Sequence, residues 1–537
     1  MTSRKTKTNG SRPVPITSPY PPVEIPNVTV PELLFGSGFG ERAGSTAVVD
    51  GASGESVTYA DLEQTVRRLA GALHARGIRA DDVVAIFAPN SPNWVTAFHG
   101  ILRANAVVTS ANSLYSAPEF AHQLVDSGAK ALFTVAACLE RASEAAIAAG
   151  LTREAIFVLD EAAGYTSLAE LIATDAVAPE LISKPSSVAV LPYSSGTTGL
   201  PKGVMLTHRN VVANLVQTAA ITPTHSASVI LAVLPFFHIY GMTVIMNQAL
   251  LRRATLVTMP RFDLDEFLRV VAEHRVTWVY IAPPIAVALA KQTDLTRYDV
   301  SSIEGVVSGA ASLDATLGRA VGDRLGCMVL QGYGMTELSP TSHMMDPARP
   351  DDDLSSIGYA LPNIECRLVD PATGADVAPG EPGELWVRGP NVMVGYLHNP
   401  QATNETLDED GFLHTGDIAT VEPSGLFHIV DRVKELIKYK GYQVPPAELE
   451  ALLLNHPAVA DAAVIGIQDA DGEEIPKAFV VRQPGHLLTA DEVLAFVAAR
   501  IAPHKKIRIV EFIDQIPKST SGKILRKELR ARETSRA

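Results

Sequence analysis

Cysteine is scarce, with three in 537 residues. Cys138, Cys327 and Cys366 follow no metal-ligand spacing and lie in apolar surroundings, which predicts reduced, buried thiols. No apolar run reaches the length of a membrane span. Positive charge is also short. With 45 Lys and Arg against 59 Asp and Glu, the net charge of −14 argues against a nucleic acid or an anionic membrane as partner of the body of the chain. The stretch Met1 to Arg12 is polar and basic with no hydrophobic core, so it does not read as a signal peptide, and a disordered start is expected over residues 1–18. Ser535-Arg536-Ala537 falls short of a Ser-Lys-Leu address, and the cytoplasm is the expected location. No internal repeat is found. What is abundant is apolar residue, 47% against 19% charged, in a chain too long for one core, so at least two domains are expected.

Short apolar runs alternate with helical stretches through the first three hundred residues. Val83 to Phe87, Ala131 to Thr134, Ile156 to Leu159, Ile230 to Leu234, Thr255 to Val257, Trp278 to Ile281 and Gly305 to Ser308 read as buried strands. Thr58 followed by Leu62, Val66, Leu69 and Leu73 reads as a capped amphipathic helix, and another is expected from about Trp94 to Ala104. This alternation predicts an α/β fold of doubly wound sheets. Ile364 to Val369, Gly383 to Arg388 and Gly425 to Val430 are turn-bounded and β-rich, as in a small β subdomain. Beyond Asp431 come helix (Pro446 to Leu454), strands (Ala460 to Gln468, Ile475 to Arg482) and helix (Asp491 to Ile501), a small α+β domain. The expected division is 1–18, 19–431 and 432–537. From Arg500 onward, eleven Lys and Arg face four Asp and Glu, which suits a lid that meets phosphates.

One segment carries the chemistry. Tyr193-Ser194-Ser195-Gly196-Thr197-Thr198-Gly199-Leu200-Pro201-Lys202-Gly203 follows the apolar run Val188 to Leu191. Glycines let backbone N–H groups crowd around an anion, hydroxyls donate further bonds, and lysine adds a point charge. It is not the P-loop of G-x-x-x-x-G-K-[ST], because Pro201 stands where that pattern needs glycine. Ser194 to Lys202 resembles instead the phosphate loop of the adenylate-forming superfamily of acyl-CoA synthetases, 4-coumarate–CoA ligases, luciferases and adenylation domains. Four further segments resemble that superfamily in the expected order: Gln331-Gly332-Tyr333-Gly334-Met335-Thr336-Glu337, His414-Thr415-Gly416-Asp417, Asp431 to Lys438, and Pro517 to Lys523.

The resemblance implies two half-reactions, a carboxylate activated as acyl-AMP and then captured by a thiol. It implies ATP contacts from Ser194, Ser195, Gly196, Thr197, Thr198, Lys202, Gln331, Gly332, Tyr333, Thr336, Asp417, Arg432 and Lys434. Thr198 and Glu337 would hold Mg2+, Tyr333 would stack on adenine, and Asp417 would accept the ribose hydroxyls. Lys523 would serve adenylation; Lys438 and Gln443 would serve thioester formation after the small domain turns about Lys434, so the C-terminal domain is expected to be mobile. His238 is implied as a gate at the acyl carboxylate, and Tyr240, Gly309, Ala310, Gly334, Pro340 and Thr341 as acyl-pocket positions. Arg261, Lys440 and Gly441 would meet CoA.

None of the departures from the 4-coumarate–CoA ligase pattern touches the phosphate chemistry. Gly383-Glu384-Leu385-Trp386-Val387-Arg388-Gly389 replaces Gly-Glu-Ile-Cys-Ile-Arg-Gly, Ser312 and Thr341 replace a proline and an aliphatic residue, and Val307 lies beside the pocket. The leading expectation is an ATP-dependent ligase of 4-coumarate or a related hydroxycinnamic acid with CoA, acting as monomer or homodimer. The competing readings are a medium- or long-chain fatty-acyl ligase, an acyl-AMP ligase that loads a carrier protein, and a non-catalytic nucleotide binder.

Overall fold

A computed structural model describes residues 15–194, 201–291, 295, 297–439, 442–469, 474–519 and 522–534. Among these residues, two nine-stranded sheets and a five-stranded antiparallel sheet form the larger part, and a three-stranded sheet with its own helices forms the C-terminal part. The apolar runs read from the sequence become adjacent parallel strands. Trp278–Ile281 pairs with Gly305–Ser308 in the register Val279 to Val306, and Gly305–Ser308 pairs in turn with Met328–Gly334. All eight residues of the first two strands are buried, as a sheet covered on both faces requires. Gly305 has to be glycine for a local reason: a Cβ there would come within 2.5 Å of the Trp278 ring.

Helices begin where the sequence offers a cap. The Thr58 Oγ1 accepts from the Asp61 N–H at 3.1 Å to start Tyr59–Ala75. The helix expected from Trp94 starts earlier, at Pro92, because Ser91 caps it and proline suits the first turn. The strand expected to reach Leu234 ends at Ala232. There the Asn90 side chain donates to the carbonyls of Ala232 and Leu234 and accepts from the Phe236 N–H, which peels the chain off the sheet. Two further expectations are corrected. Ile16 and Thr17, assigned to a disordered start over residues 1–18, pair with Cys366 and Glu365, and Ser18 Oγ donates to the Ala360 carbonyl; residues 1–14 lie outside the described residues. Of the three thiols, Cys138 and Cys366 are buried, but Cys327 is only partly so.

In the C-terminal part, Val459–Gln468 pairs antiparallel with Glu474–Arg482, and Ile509–Phe512 adds a parallel strand. Leu449, Leu453, Val464 and Val480 form a core distinct from that of the larger part. Two contacts bring this unit against the rest. A Cβ on Gly522 would lie 2.8 Å from Pro284, and Lys291 Nζ donates to Gln483 Oε1 at 3.4 Å.

The tight seat of Gly305 gives a stability prediction. Gly305→Ala forces a methyl into a packed sheet, at about 1–3 kcal/mol, and should lower the thermal unfolding midpoint. Gly44→Ala, which meets nothing within 4 Å, should leave it unchanged. Equal midpoints for both variants by calorimetry would contradict the packing argument.

Candidate active site

The larger part places its functional residues beyond the carboxyl ends of parallel strands, where open α/β sheets leave a crevice. Leu234 to Tyr240 follows the strand Val229–Ala232, Gly309 and Ala310 follow Gly305–Ser308, and Tyr333 and Gly334 end Met328–Gly334. Together they line a cleft with His238, Tyr240, Val244, Val307, Pro340 and Thr341 on its walls. Every acyl-pocket position implied by the resemblance borders this cleft: Tyr240, Gly309, Ala310, Gly334, Pro340 and Thr341, with His238. Gly309 makes room for an aromatic wall, since a Cβ there would stand 3.0 Å from the Tyr240 ring. The Tyr240 hydroxyl is buried and donates to the Val307 carbonyl at 3.2 Å, so its proton is committed and its oxygen is left to accept.

His238 Nδ1 accepts the backbone N–H of Tyr240 at 3.2 Å, which puts the proton of the neutral ring on Nε2. Burial, with the Lys523 ammonium as a second cause, pushes its pKa down to about 4. At neutral pH it is therefore an uncharged N–H donor.

A second group of polar residues centres on Asp417. Its Oδ2 accepts from the Tyr333 hydroxyl at 2.6 Å and its Oδ1 lies 3.1 Å from Arg432 Nε. A carboxylate has about four acceptor positions, so the two contacts leave room for hydroxyls. Trp386, the main departure in its segment, lies flat on His414 with ring centroids 3.7 Å apart, beside the Thr415-Gly416-Asp417 turn. Gln331 is turned elsewhere: its amide exchanges bonds with the backbone of Leu313 and donates to the Leu354 carbonyl, which makes it a brace under the loop that follows Ala310. Gly332 pairs with Met344, and Thr336 opens the one-turn helix that carries Glu337.

Ser194 and Lys202 pair across two short strands and so hold the two ends of the phosphate loop together. Ser195, Gly196, Thr197 and Thr198 lie outside the described residues, as do Lys440, Gly441 and the side chain of Gln443. Ser194 Oγ donates to Glu337 Oε1 at 2.9 Å. Glu337 is buried, and a lone carboxylate beside a phosphate loop fits Mg2+, which is commonly held by one or two carboxylates plus substrate phosphates.

Lys523 arrives from the C-terminal part. Loss of water around its ammonium, together with Arg432, brings its pKa down to about 8, while Asp417, Glu337 and Glu435 oppose the fall. Lys438 and Lys434 are exposed, and Arg261 is exposed beyond the strand Thr255–Thr258. The structure thus gathers Lys523, His238, Glu337, Asp417, Tyr333 and Arg432, and leaves Lys438 outside.

Several residues that position the site have no motif to announce them. Asn214 exchanges bonds with the backbone of Thr341, and Asn391 donates to the carbonyls of Leu338 and Thr341, which fixes the cleft wall. Tyr396 donates to Glu337 Oε1 at 2.8 Å. Only their burial and partners distinguish them from ordinary polar residues.

Comparison with known proteins agrees with this geometry. A family model described as AMP-binding enzyme matches residues 39–397, and one described as AMP-binding enzyme C-terminal domain matches residues 448–523. The chain is 39% identical over 542 residues to 4-coumarate–CoA ligase 4 of Arabidopsis thaliana, covering 96% of this chain and 94% of the relative. It is 42% identical over 494 residues to 4-coumarate–CoA ligase 1 of Solanum tuberosum, covering 90% of each. Among solved structures it resembles ATP-bound MatB from Rhodopseudomonas palustris, with a TM-score of 0.86 at 29% identity over 94% of this chain and 99% of that one. It also resembles the anthranilate CoA ligase AuaEII in complex with anthranoyl-AMP, with a TM-score of 0.86 at 26% identity over 95% and 98%. On this match over most of its length, the chain belongs to the AMP-binding enzyme family.

Proposed function

We propose that the protein is an ATP-dependent carboxylate–CoA ligase acting on 4-coumarate or a related hydroxycinnamic acid. The observation that carries the reading is that Lys523 lies within electrostatic reach of His238, Asp417 and Glu337, with His238 on the wall of an apolar cleft. The curated relatives from Arabidopsis thaliana, Solanum tuberosum and Oryza sativa are named 4-coumarate–CoA ligases, which supports the acid class.

In the first half-reaction a carboxylate oxygen of the acid attacks the α-phosphorus of ATP, and the bond to pyrophosphate breaks. Tyr333 offers its ring to the base, and Asp417 offers its unused lone pairs to the ribose. His238, with its proton on Nε2, donates to the acid and orients it. The Lys523 ammonium stabilises the charge that builds on the attacking and phosphate oxygens. Glu337 and Thr198 would hold Mg2+, which neutralises phosphate charge when bound.

In the second half-reaction the CoA sulfur attacks the acyl carbon and AMP leaves. Lys438 stands exposed in the arrangement that brings Lys523 inward. A turn about the Arg432–Lys434 hinge would exchange them, with Lys438 and Gln443 entering and Arg261, Lys440 and Gly441 meeting CoA. The expected location is the cytoplasm.

Lys523→Ala should slow pyrophosphate release by about 10²-fold or more while preformed acyl-AMP is still converted to thioester. Lys438→Ala should show the reverse bias. Stopped assays of the two half-reactions check this, and equal losses in both would overturn the two-position lid.

The acid is tested by kcat/KM for 4-coumarate, cinnamate, octanoate and palmitate. Because the Tyr240 oxygen can accept from a ring hydroxyl, Tyr240→Phe should cost 4-coumarate about tenfold more than cinnamate. Palmitate preferred by tenfold in the unaltered protein would replace the hydroxycinnamate reading with a fatty-acyl ligase.

A further inference from the structure

We propose that Tyr396 is a positioning residue that turns one oxygen of Glu337 toward the metal-bearing nucleotide and ties that carboxylate to the phosphate loop. The inference rests on the ligase reading for its context. Its geometry stands on the residues alone.

Both hydroxyl donors to Glu337 fall on the same atom. Ser194 Oγ donates to Oε1 at 2.9 Å and the Tyr396 hydroxyl donates to Oε1 at 2.8 Å. Among the described residues, Oε2 accepts no hydrogen bond. Two donors converging on one oxygen fix the carboxylate plane and present the other oxygen as an unencumbered ligand.

Tyr396 is itself held by the strand that leaves the phosphate loop. It pairs with Val204, the Leu397 N–H donates to the Gly203 carbonyl at 2.8 Å, and the Val394 N–H donates to the Met205 carbonyl at 3.1 Å. The Lys202 ammonium lies 4.8 Å from the centre of the Tyr396 ring. The main chain of Glu337 is caught by the same segment, through the Met393 N–H at 2.8 Å. Tyr396 thus meets the lysine at one end of the loop and the carboxylate that Ser194, at its other end, also bonds.

Tyr396→Phe keeps the ring under Lys202 and removes one donor. The half-saturating Mg2+ concentration for pyrophosphate release should rise about tenfold, with KM for the acid and the rate of thioester formation from preformed acyl-AMP unchanged. Electron paramagnetic resonance of Mn2+ with ATP on the protein should show weaker metal retention by a similar factor. Ser194→Ala, which removes the other donor, should move the metal dependence in the same direction. A metal titration unchanged in both variants would overturn the proposal, as would equal losses in the two half-reactions. If the unaltered protein released no acid-dependent pyrophosphate, the ligase reading would fail, while the Mn2+ measurement would still decide the role of Tyr396.

Discussion

The ammonium of Lys523 sits half-buried between two parts of the protein, where a charge is costly to hold unless other charges answer it. Asp417, Glu337 and Glu435 supply negative charge, Arg432 opposes them, and the balance leaves the pKa near 8. That balance depends on the C-terminal part being seated, since Lys523 belongs to that part and two of its partners, Asp417 and Glu337, belong to the larger one. Burial keeps His238 uncharged, and the same ammonium adds to that effect. Much of the remaining architecture serves this meeting: Gly522 permits the close approach to Pro284, and the strand Phe427–Arg432 carries Arg432 to Asp417.

A consequence is that one closed arrangement suits one charge pattern. The first half-reaction gathers phosphate charge and calls for cations; the second brings a thiol to an acyl-adenylate whose pyrophosphate is gone. With Lys523 inward and Lys438 exposed, the described arrangement matches the first pattern. Asp417 bonds Tyr333 and pairs with Arg432, which ties the end of the strand Met328–Gly334 to the start of the C-terminal part.

The sequence made the parallel strands and the motif residues legible because each depends on neighbours in the chain. Gly305–Ser308 reads as a buried strand from its own four residues, and Lys523 reads from the Pro-Lys-Ser-Thr-Ser-Gly before it. What stayed hidden depends on distant partners. Asn90 ends a strand 142 residues away, Asn214 holds a wall 127 residues away, and Tyr396 meets Glu337 across 59 residues. Gln331 shows the converse: a residue inside a motif whose side chain braces Leu313. The start of the chain misled for the same reason, since Ile16 and Thr17 gain their order from a strand some 350 residues later.

The account turns on Lys523 acting as a charged group in the first half-reaction alone. The direct test is the pH profile of each half-reaction measured separately. With a pKa near 8 in the free protein, the ammonium is present below that pH and lost above it, so kcat/KM for adenylation should fall as pH rises through about 8. Thioester formation from preformed acyl-AMP should show no limb that disappears in Lys523→Ala. A descending limb in thioester formation that Lys523→Ala abolishes, or an adenylation rate that holds level to pH 10, would contradict that role.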